Sequence, residues 1–598
     1  MWSFLVWAPR AEKMDVHIFS PQHRFVAMQA GGKGYLYAEV ASIPVGARYL
    51  YRLDGGIERP DPASAFQPEG VHGPSELVDN RFDWNDAAWH GLPLHEYVLY
   101  ELHVGTFTPE GTLDSIVPRL SELKALGITA IEIMPVAQFP GSRNWGYDGV
   151  YPFAVQNSYG GPRAFKRLVN ACHAQKMCVV LDVVYNHLGP EGNYAADFGF
   201  YFTDAYKTPW GAALNFDQEY SDEVRRFFIE NALRWITEFH VDGLRLDAIH
   251  AIVDPSARPF VEELTEACHH RARQLSREVH IIAETNRNDH RVVSPCDRGG
   301  WSLDGQWNDD FHHSLRVAFT GERVGYYQDY SGAPDLVKAM AEGFVYSGGY
   351  SKFRKHRYGN SSRDVPAHRL VVFSQNHDQV GNRKAGDRLT GVASFEQLKL
   401  AAAAVLLSPC VPLLFMGEEY GEKAPFQYFV SHSDPGIIDA VRNGRAAEFT
   451  APEWAGDLPD PQDERTFLNS KLVWELRNHD LHRILLDFYG ELLRLRREIP
   501  ALAQLDKNSQ QVALLAEGKC IFSRRWAGRC QTAALFHFDA EAVNIDLTLP
   551  PGTWRPLLDS TEKRWNGSGT EPPAELRSLG AVHVVLRPWS VLLWGLSE

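Results

Sequence analysis

Between residues 97 and 416 the chain repeats one pattern, a short apolar run followed by a stretch with helical spacing. Eight runs stand out, at 97–104, 128–134, 178–184, 241–246, 279–284, 305–307, 370–374 and 411–416. Most are continuously apolar, as parallel strands buried on both faces must be. After the first, Ile116, Leu120, Leu123 and Leu126 recur at helical intervals. Further helices are expected near 163–176, 222–238 and 258–275. Strand then helix, eight times over, predicts an α/β fold, a (β/α)8 TIM barrel with its chemistry at the C-terminal ends of the strands.

The flanks follow a different rule. Runs at 4–7, 15–19 and 49–53, separated by Gly-Gly and Pro signals, read as short strands. So do 512–515, 520–523, 532–538 and 582–586. A barrel at 91–510, carrying insertions, is thus expected between an N-terminal β-sandwich at 1–90 and a C-terminal β-sandwich at 511–598. The formal charge of −15 argues against nucleic acid as a partner. No apolar run approaches the ~18–20 residues of a membrane span, and Met1–Pro9 lacks a basic region followed by an apolar core. Seven cysteines, never in a Cys-x-x-Cys pair, suggest free thiols in a reducing compartment. The expected location is the cytoplasm, with no membrane association. Cys268-His269-His270 falls in an expected helix, where adjacent side chains face different ways, so it reads as structural rather than metal-binding.

Polar residues gather where the barrel rule puts function: Asp182…Asn186-His187, Arg245-Leu246-Asp247, Glu284 and Gln375-Asn376-His377-Asp378-Gln379. On a strand, Arg245 and Asp247 share a face, and the guanidinium can hold the carboxylate ionised. Alone, that pair would be structural. Three acids after three different apolar strands point instead to glycosidic hydrolysis, which needs an ionised carboxylate and a protonated one. Asp247, beside its cation, fits the nucleophile. Glu284, after Ile281-Ile282-Ala283, fits the acid with a raised pKa. Asp378 fits a grip on sugar hydroxyls that tightens in the transition state. An aromatic-rich composition of 16 Trp, 23 Tyr and 32 Phe suits the apolar faces of sugars.

Together, in this order, these segments resemble the four sequence regions of the α-amylase family of glycoside hydrolases. The resemblance implies a retaining mechanism with Asp247 as nucleophile, Glu284 as acid/base and Asp378 as transition-state stabiliser. It implies that His187, Arg245 and His377 line the subsite of the attacked glucose and that Tyr147, in Asn144-Trp145-Gly146-Tyr147-Asp148-Gly149, stacks on it. Trp7-Ala8-Pro9 resembles the start of the carbohydrate-binding, immunoglobulin-like sandwich of the branching and debranching members. The segments 60–64, 70–75, 307–313, 375–382, 415–421 and 425–429 resemble the members that cleave the α-1,4 bond next to the terminal trehalose of maltooligosyltrehalose. The implied partners are maltooligosyltrehalose and related α-1,4-glucans, with the maltooligosyltrehalose synthase as upstream pathway partner.

The nearest alternative is the glycogen branching enzyme, in which Glu typically follows the third Asp; Gln379 stands here. An alternative of another class is a non-catalytic glycan-binding module, which should lack one of the three acids. His250 falls where relatives contact the leaving sugar, and reads equally well as a helix-start His satisfying backbone groups. Trp145, Trp210 and Trp301 are expected to pack in core or loops. The chemistry requires no metal and no organic cofactor; some family members bind calcium near Asn186, but no complete ligand set is visible.

Overall fold

A computed structural model describes residues 1–19, 22–208, 210–449, 457–569 and 575–597. Its centre is a closed barrel of eight parallel strands, named here β1 (Leu99–Leu102), β2 (Ala130–Ile133), β3 (Cys178–Val183), β4 (Gly243–Leu246), β5 (His280–Ala283), β6 (Gly305–Trp307), β7 (Leu370–Val372) and β8 (Val411–Phe415). Each expected run supplies one strand, in chain order, and β8 closes on β1. The helices Gly161–Ala174, Ser221–Glu238 and Phe260–Leu275 lie within a residue or two of their expected spans.

Alternation along the strands divides the barrel interior into two levels. The floor is apolar, with Leu99, Ala130, Val180 and Ile282 in one buried cluster. Two residues further along the same strands stand Glu101, Glu132, Asp182 and Glu284, and Gly243 is followed in the same way by Arg245. Leu244 and Leu246 point the other way, into the apolar layer shared with the helices. Gly243 is required where β4 starts, because a Cβ there would meet the His280 carbonyl oxygen at 2.7 Å.

β-Sheet regions flank the barrel at both ends of the chain. The N-terminal strands form a three-stranded and a five-stranded sheet. They include Arg24–Ala27, Tyr35–Val40 and Glu58–Arg59, which the sequence reading did not separate from their turns. This unit braces the segment between β3 and β4: Tyr35 donates to Glu223 at 2.7 Å, Arg59 to Asp197 at 2.6 Å, and the Trp7 ring packs edge-on against Tyr201. The C-terminal strands form a six-stranded sheet and a separate pair. Buried Arg525 joins that unit to the barrel, and buried Arg496, on the barrel side, shares the Ser408 carbonyl with it. Arg496 donates to the carbonyls of Leu406, Ser408 and Cys410, and Arg525 to those of Leu407 and Gln504. Beneath the barrel, Asp242 accepts from Trp89 (2.8 Å), His173 (2.9 Å), the Val179 amide (2.8 Å) and Arg277 (2.8 Å), while His173 also bonds Asp86. Among the described residues no helix is long and apolar enough to cross a membrane.

Candidate active site

At the C-terminal end of the strands a cavity of about 690 Å³ opens, bordered by Asp247, Glu284 and Asp378. Its electrostatics are organised by Arg245, which is fully buried. Nη1 donates to Asp247 Oδ1 at 2.7 Å and Asp182 Oδ2 at 2.8 Å, and Nη2 lies 3.8 Å from Glu284 Oε2. The guanidinium rests 4.4 Å above the Trp307 ring, whose face favours a cation.

Asp247 is fixed through both oxygens, since Asn186 Nδ2 donates to Oδ2 at 2.7 Å. Burial alone pushes this carboxyl up; Arg245 and the Asn186 amide outweigh it, leaving Asp247 below its ordinary value. Immediately afterwards Ala248 takes a left-handed φ of 38°, an uncommon conformation outside glycine. That turn brings the Ala248 N–H to 2.7 Å from Glu284 Oε2. Glu284 goes the other way. Burial pushes it up to about 8 against the pull of Arg245, with Asp247, Asp309 and Asp378 adding repulsion. Near neutrality one carboxyl is therefore ionised and its neighbour protonated, the division of labour that acid-assisted displacement at a sugar carbon requires.

A second chain of hydrogen bonds runs round the rim. His377 Nδ1 is 2.5 Å from Glu101 Oε1, and its backbone N–H donates to Glu101 Oε2 at 2.9 Å. Burial opposes charge on His377, but Asp378 and Glu101 overcome it and raise the imidazole to about 9. As an imidazolium it donates from Nε2 to the Tyr147 hydroxyl (2.8 Å), which donates on to Asp182 (2.7 Å). The Tyr147 and His377 rings stack at 5.3 Å. His187 donates from Nε2 to the Tyr147 carbonyl at 3.0 Å. Asp378 is held by the turn its own backbone makes, its N–H donating to Asn376 Oδ1 at 2.9 Å.

Residues 79–210 match the family model for the α-amylase catalytic domain. The malto-oligosyltrehalose trehalohydrolase of Saccharolobus solfataricus is 48% identical over 83% of this chain and 85% of its own. The chain belongs to the malto-oligosyltrehalose trehalohydrolase family. The relative from Rhizobium sp. (strain M-11), with the same name, is 42% identical over 95% of this chain and 96% of its own. A crystal structure from Salmonella typhimurium, of a protein assigned as an α-amylase, superposes with a TM-score of 0.88 at 38% identity, covering 100% of this chain and 97% of that one.

Within this trehalohydrolase architecture the nine residues singled out in the sequence do not all stand alike. Arg245, Asp247, Glu284, Tyr147, His187, His377 and Asp378 form the connected network above. The His250 ring lines the same cavity, and its Nδ1 is buried without a protein partner, so it does not cap the backbone around it. Gln379 also lines the cavity, but its amide is spent on Asp309, donating to Oδ1 at 3.1 Å.

The tryptophans divide. Trp145 is buried, bonded to the Gln427 carbonyl and stacked on Phe426, as expected. Trp301 is half-buried and packs with Arg291. Trp210 corrects the expectation of core or loop packing: it is 49% exposed, lies on the cavity rim and stacks on His187 at 4.8 Å. It is carried by the hairpin of Phe202–Thr208 and Gly211–Leu214, which overhangs the barrel mouth.

Sequence reasoning missed the opposite wall, where Tyr326, Phe353, Arg354 and Tyr358 face the cavity from the long segment between β6 and β7. Among the described residues no group of three or more His, Cys, Asp or Glu is arranged to hold a metal ion. Asn186 gives its amide N–H to Asp247 and turns its Oδ1 to His187 Nδ1. His269, from the Cys-His-His run, bonds Asp304 at 2.8 Å.

Proposed function

We propose that this protein hydrolyses the α-1,4 bond next to the terminal trehalose of maltooligosyltrehalose, releasing trehalose and a shortened maltooligosaccharide, with retention of configuration. The observation that carries the hydrolytic reading is an Asp247 held ionised by a 2.7 Å bond from Arg245, next to a Glu284 that lies 3.8 Å from the same guanidinium yet is kept protonated by burial and by the carboxylates around it. Asp247 attacks the anomeric carbon and forms a glycosyl ester, while Glu284 gives its proton to the departing glycosidic oxygen. Glu284, now a carboxylate, takes a proton from water; the oxygen of that water attacks the same carbon and frees Asp247. Asp378 grips hydroxyls of the attacked glucose, Tyr147 stacks on it, and His187, Arg245 and His377 line its subsite. His250 and Gln379 belong to the substrate-binding wall.

The choice of substrate is supported by the names of relatives at 48% and 42% identity and by an aromatic wall able to cover a bulky, non-reducing leaving sugar. Those names favour it over the glycogen-branching alternative, and an intact set of three acids favours it over a non-catalytic glycan-binding module. The upstream partner is a maltooligosyltrehalose synthase, linked through its product. The cytoplasm suits seven cysteines that all stand as free thiols. We read residues 1–90, 91–510 and 511–598 as three domains, of which the middle one reacts.

Incubation with maltotriosyltrehalose and with maltopentaose tests the reading. Free trehalose from the first is expected. New α-1,6 branches in a longer glucan would make it a branching enzyme, and binding without product would make it a recognition module.

A further inference from the structure

Strand β6 ends at Trp307, and two residues later, at the first position of the helix Asp309–Thr320, stands a carboxyl to which the reaction above gives no task. Asp309 borders the same cavity as Glu284 and Asp378, on the rim where a barrel presents its reactive groups. Its Oδ1 accepts from Gln379 Nε2 at 3.1 Å. Gln379 is well placed to hold that carboxyl still. It is 8% exposed, and its own backbone N–H donates to Asn376 Oδ1 at 3.2 Å. Its Oε1 is buried with no partner, so the engaged end of the amide is the one that faces Asp309. Burial, with repulsion from Asp378 and Asp310, pushes Asp309 up to about 7, so near neutrality it can accept or donate, as sugar hydroxyls do. Glu284, which protonates the departing oxygen, stands on the adjacent strand and feels the Asp309 charge.

We propose that Asp309 binds a hydroxyl of the sugar on the leaving side of the cleaved bond, and that Gln379 is a positioning residue that aims this carboxyl. The inference rests on the hydrolytic reading above. It also explains the residue type at 379: a glutamate there would set a second carboxylate against Asp309 at hydrogen-bond distance.

The test is a swap. Kinetics of Asp309→Ala, Asp309→Asn, Gln379→Glu and the Asp309→Asn/Gln379→Glu double variant are measured on maltotriosyltrehalose and maltopentaose, with kcat and KM separated. Asp309→Ala is expected to lose about ten- to a hundredfold in kcat/KM for maltotriosyltrehalose, the loss for a hydrogen bond to a charged group, and to change the preference between the two substrates. Gln379→Glu is expected to lose about tenfold in the native background but less than about threefold in the Asp309→Asn background, where the amide and carboxylate have exchanged places. This coupling is a ratio of ratios, so a uniform loss of folded protein cancels from it. An equal Gln379→Glu loss in both backgrounds would show that Gln379 acts on its own. An unchanged substrate preference in Asp309→Ala would remove Asp309 from the leaving side. If the native protein releases no trehalose, the substrate reading fails separately, and the coupling is scored on whichever glucan is turned over.

Discussion

Asp247 and Glu284 show how far residue identity alone can be trusted. Their types and strand-end positions are plain in the sequence, but their opposite protonation follows from burial and from the reach of one guanidinium. Asp247→Ala and Glu284→Gln are each expected to lower kcat by about 10⁴-fold or more while leaving the far-UV circular dichroism unchanged. Retention of near-native turnover in either would overturn the assignments. The pH profile follows from the same pair. The proposed reaction needs Asp247 ionised and Glu284 protonated, so kcat/KM should fall as pH rises through about 8 and fall again in acid below the ordinary carboxylate range. A basic limb that moves with neither Glu284→Gln nor Asp247→Asn would refer the titration to other groups. Some residue-level facts were out of reach. Nothing in the sequence links Gln379 to Asp309, because their neighbourhood is made by strands β6 and β7 lying side by side.

At the scale of elements, the barrel strands were legible because burial on both faces makes them continuous apolar runs, and the step from apolar floor to charged upper level recurs with period two. The segment between β6 and β7 was not. Tyr326 and Phe353 reach the cavity from a 3-10 turn and from the tip of a two-stranded hairpin, which have no strand end to mark them. Trp210 was misread for the same reason: a hairpin tip carries no apolar period to say which way a ring faces. The floor of the barrel offers a test of element packing. Asp242, at the entrance to β4, pairs with both His173 and Arg277, and Asp86 supplies the second negative charge beside His173. Asp242→Asn is expected to cost about 3–5 kcal/mol, as removal of one partner from a buried ion pair does, measured by urea unfolding. Burial pushes the Asp242 carboxyl up, but His173 and Arg277 more than offset it, so its pKa ends lowered, and its contribution is present above about 4 and lost in acid. His173 is raised despite burial, so its contribution is full below about 6.5 and lost as pH rises through its folded value. A mutational cost that does not shrink at either extreme would argue against this network.

Over the whole molecule, one apolar cluster runs from Phe4 through the barrel to Leu593, so the flanking sheets are packed against the catalytic unit rather than tethered to it. The Arg496 and Arg525 guanidiniums meet the carbonyls at the end of the helix Phe395–Leu406, where the helix dipole favours cations. Burial lowers each pKa, to about 10 and about 9, and repulsion from Arg496 adds to the effect at Arg525. Arg525→Met is expected to lower stability by about 2–3 kcal/mol, from carbonyls left without charged donors, while unfolding stays a single transition. Two resolved transitions in the native chain would mean that the C-terminal unit folds independently. That unit was legible as strands but not as a partner, since Arg525 reads in sequence as an ordinary strand cation.

In the reaction proposed above, the sharing of Arg245 supplies a clock. While Asp247 is free, its charge competes for the guanidinium and disfavours a second negative charge on Glu284, which stays protonated as the first proposed step demands. Once Asp247 is capped as an ester, the repulsion is gone and the guanidinium has one anion fewer to serve. Glu284 then becomes a stronger acid at the stage where it must act as a base. We expect Glu284 to titrate at lower pH in an enzyme stalled at the covalent stage by a fluorinated glycosyl fluoride than in the free enzyme. Identical titration in the two states would show that Arg245 anchors Asp247 without timing its neighbour.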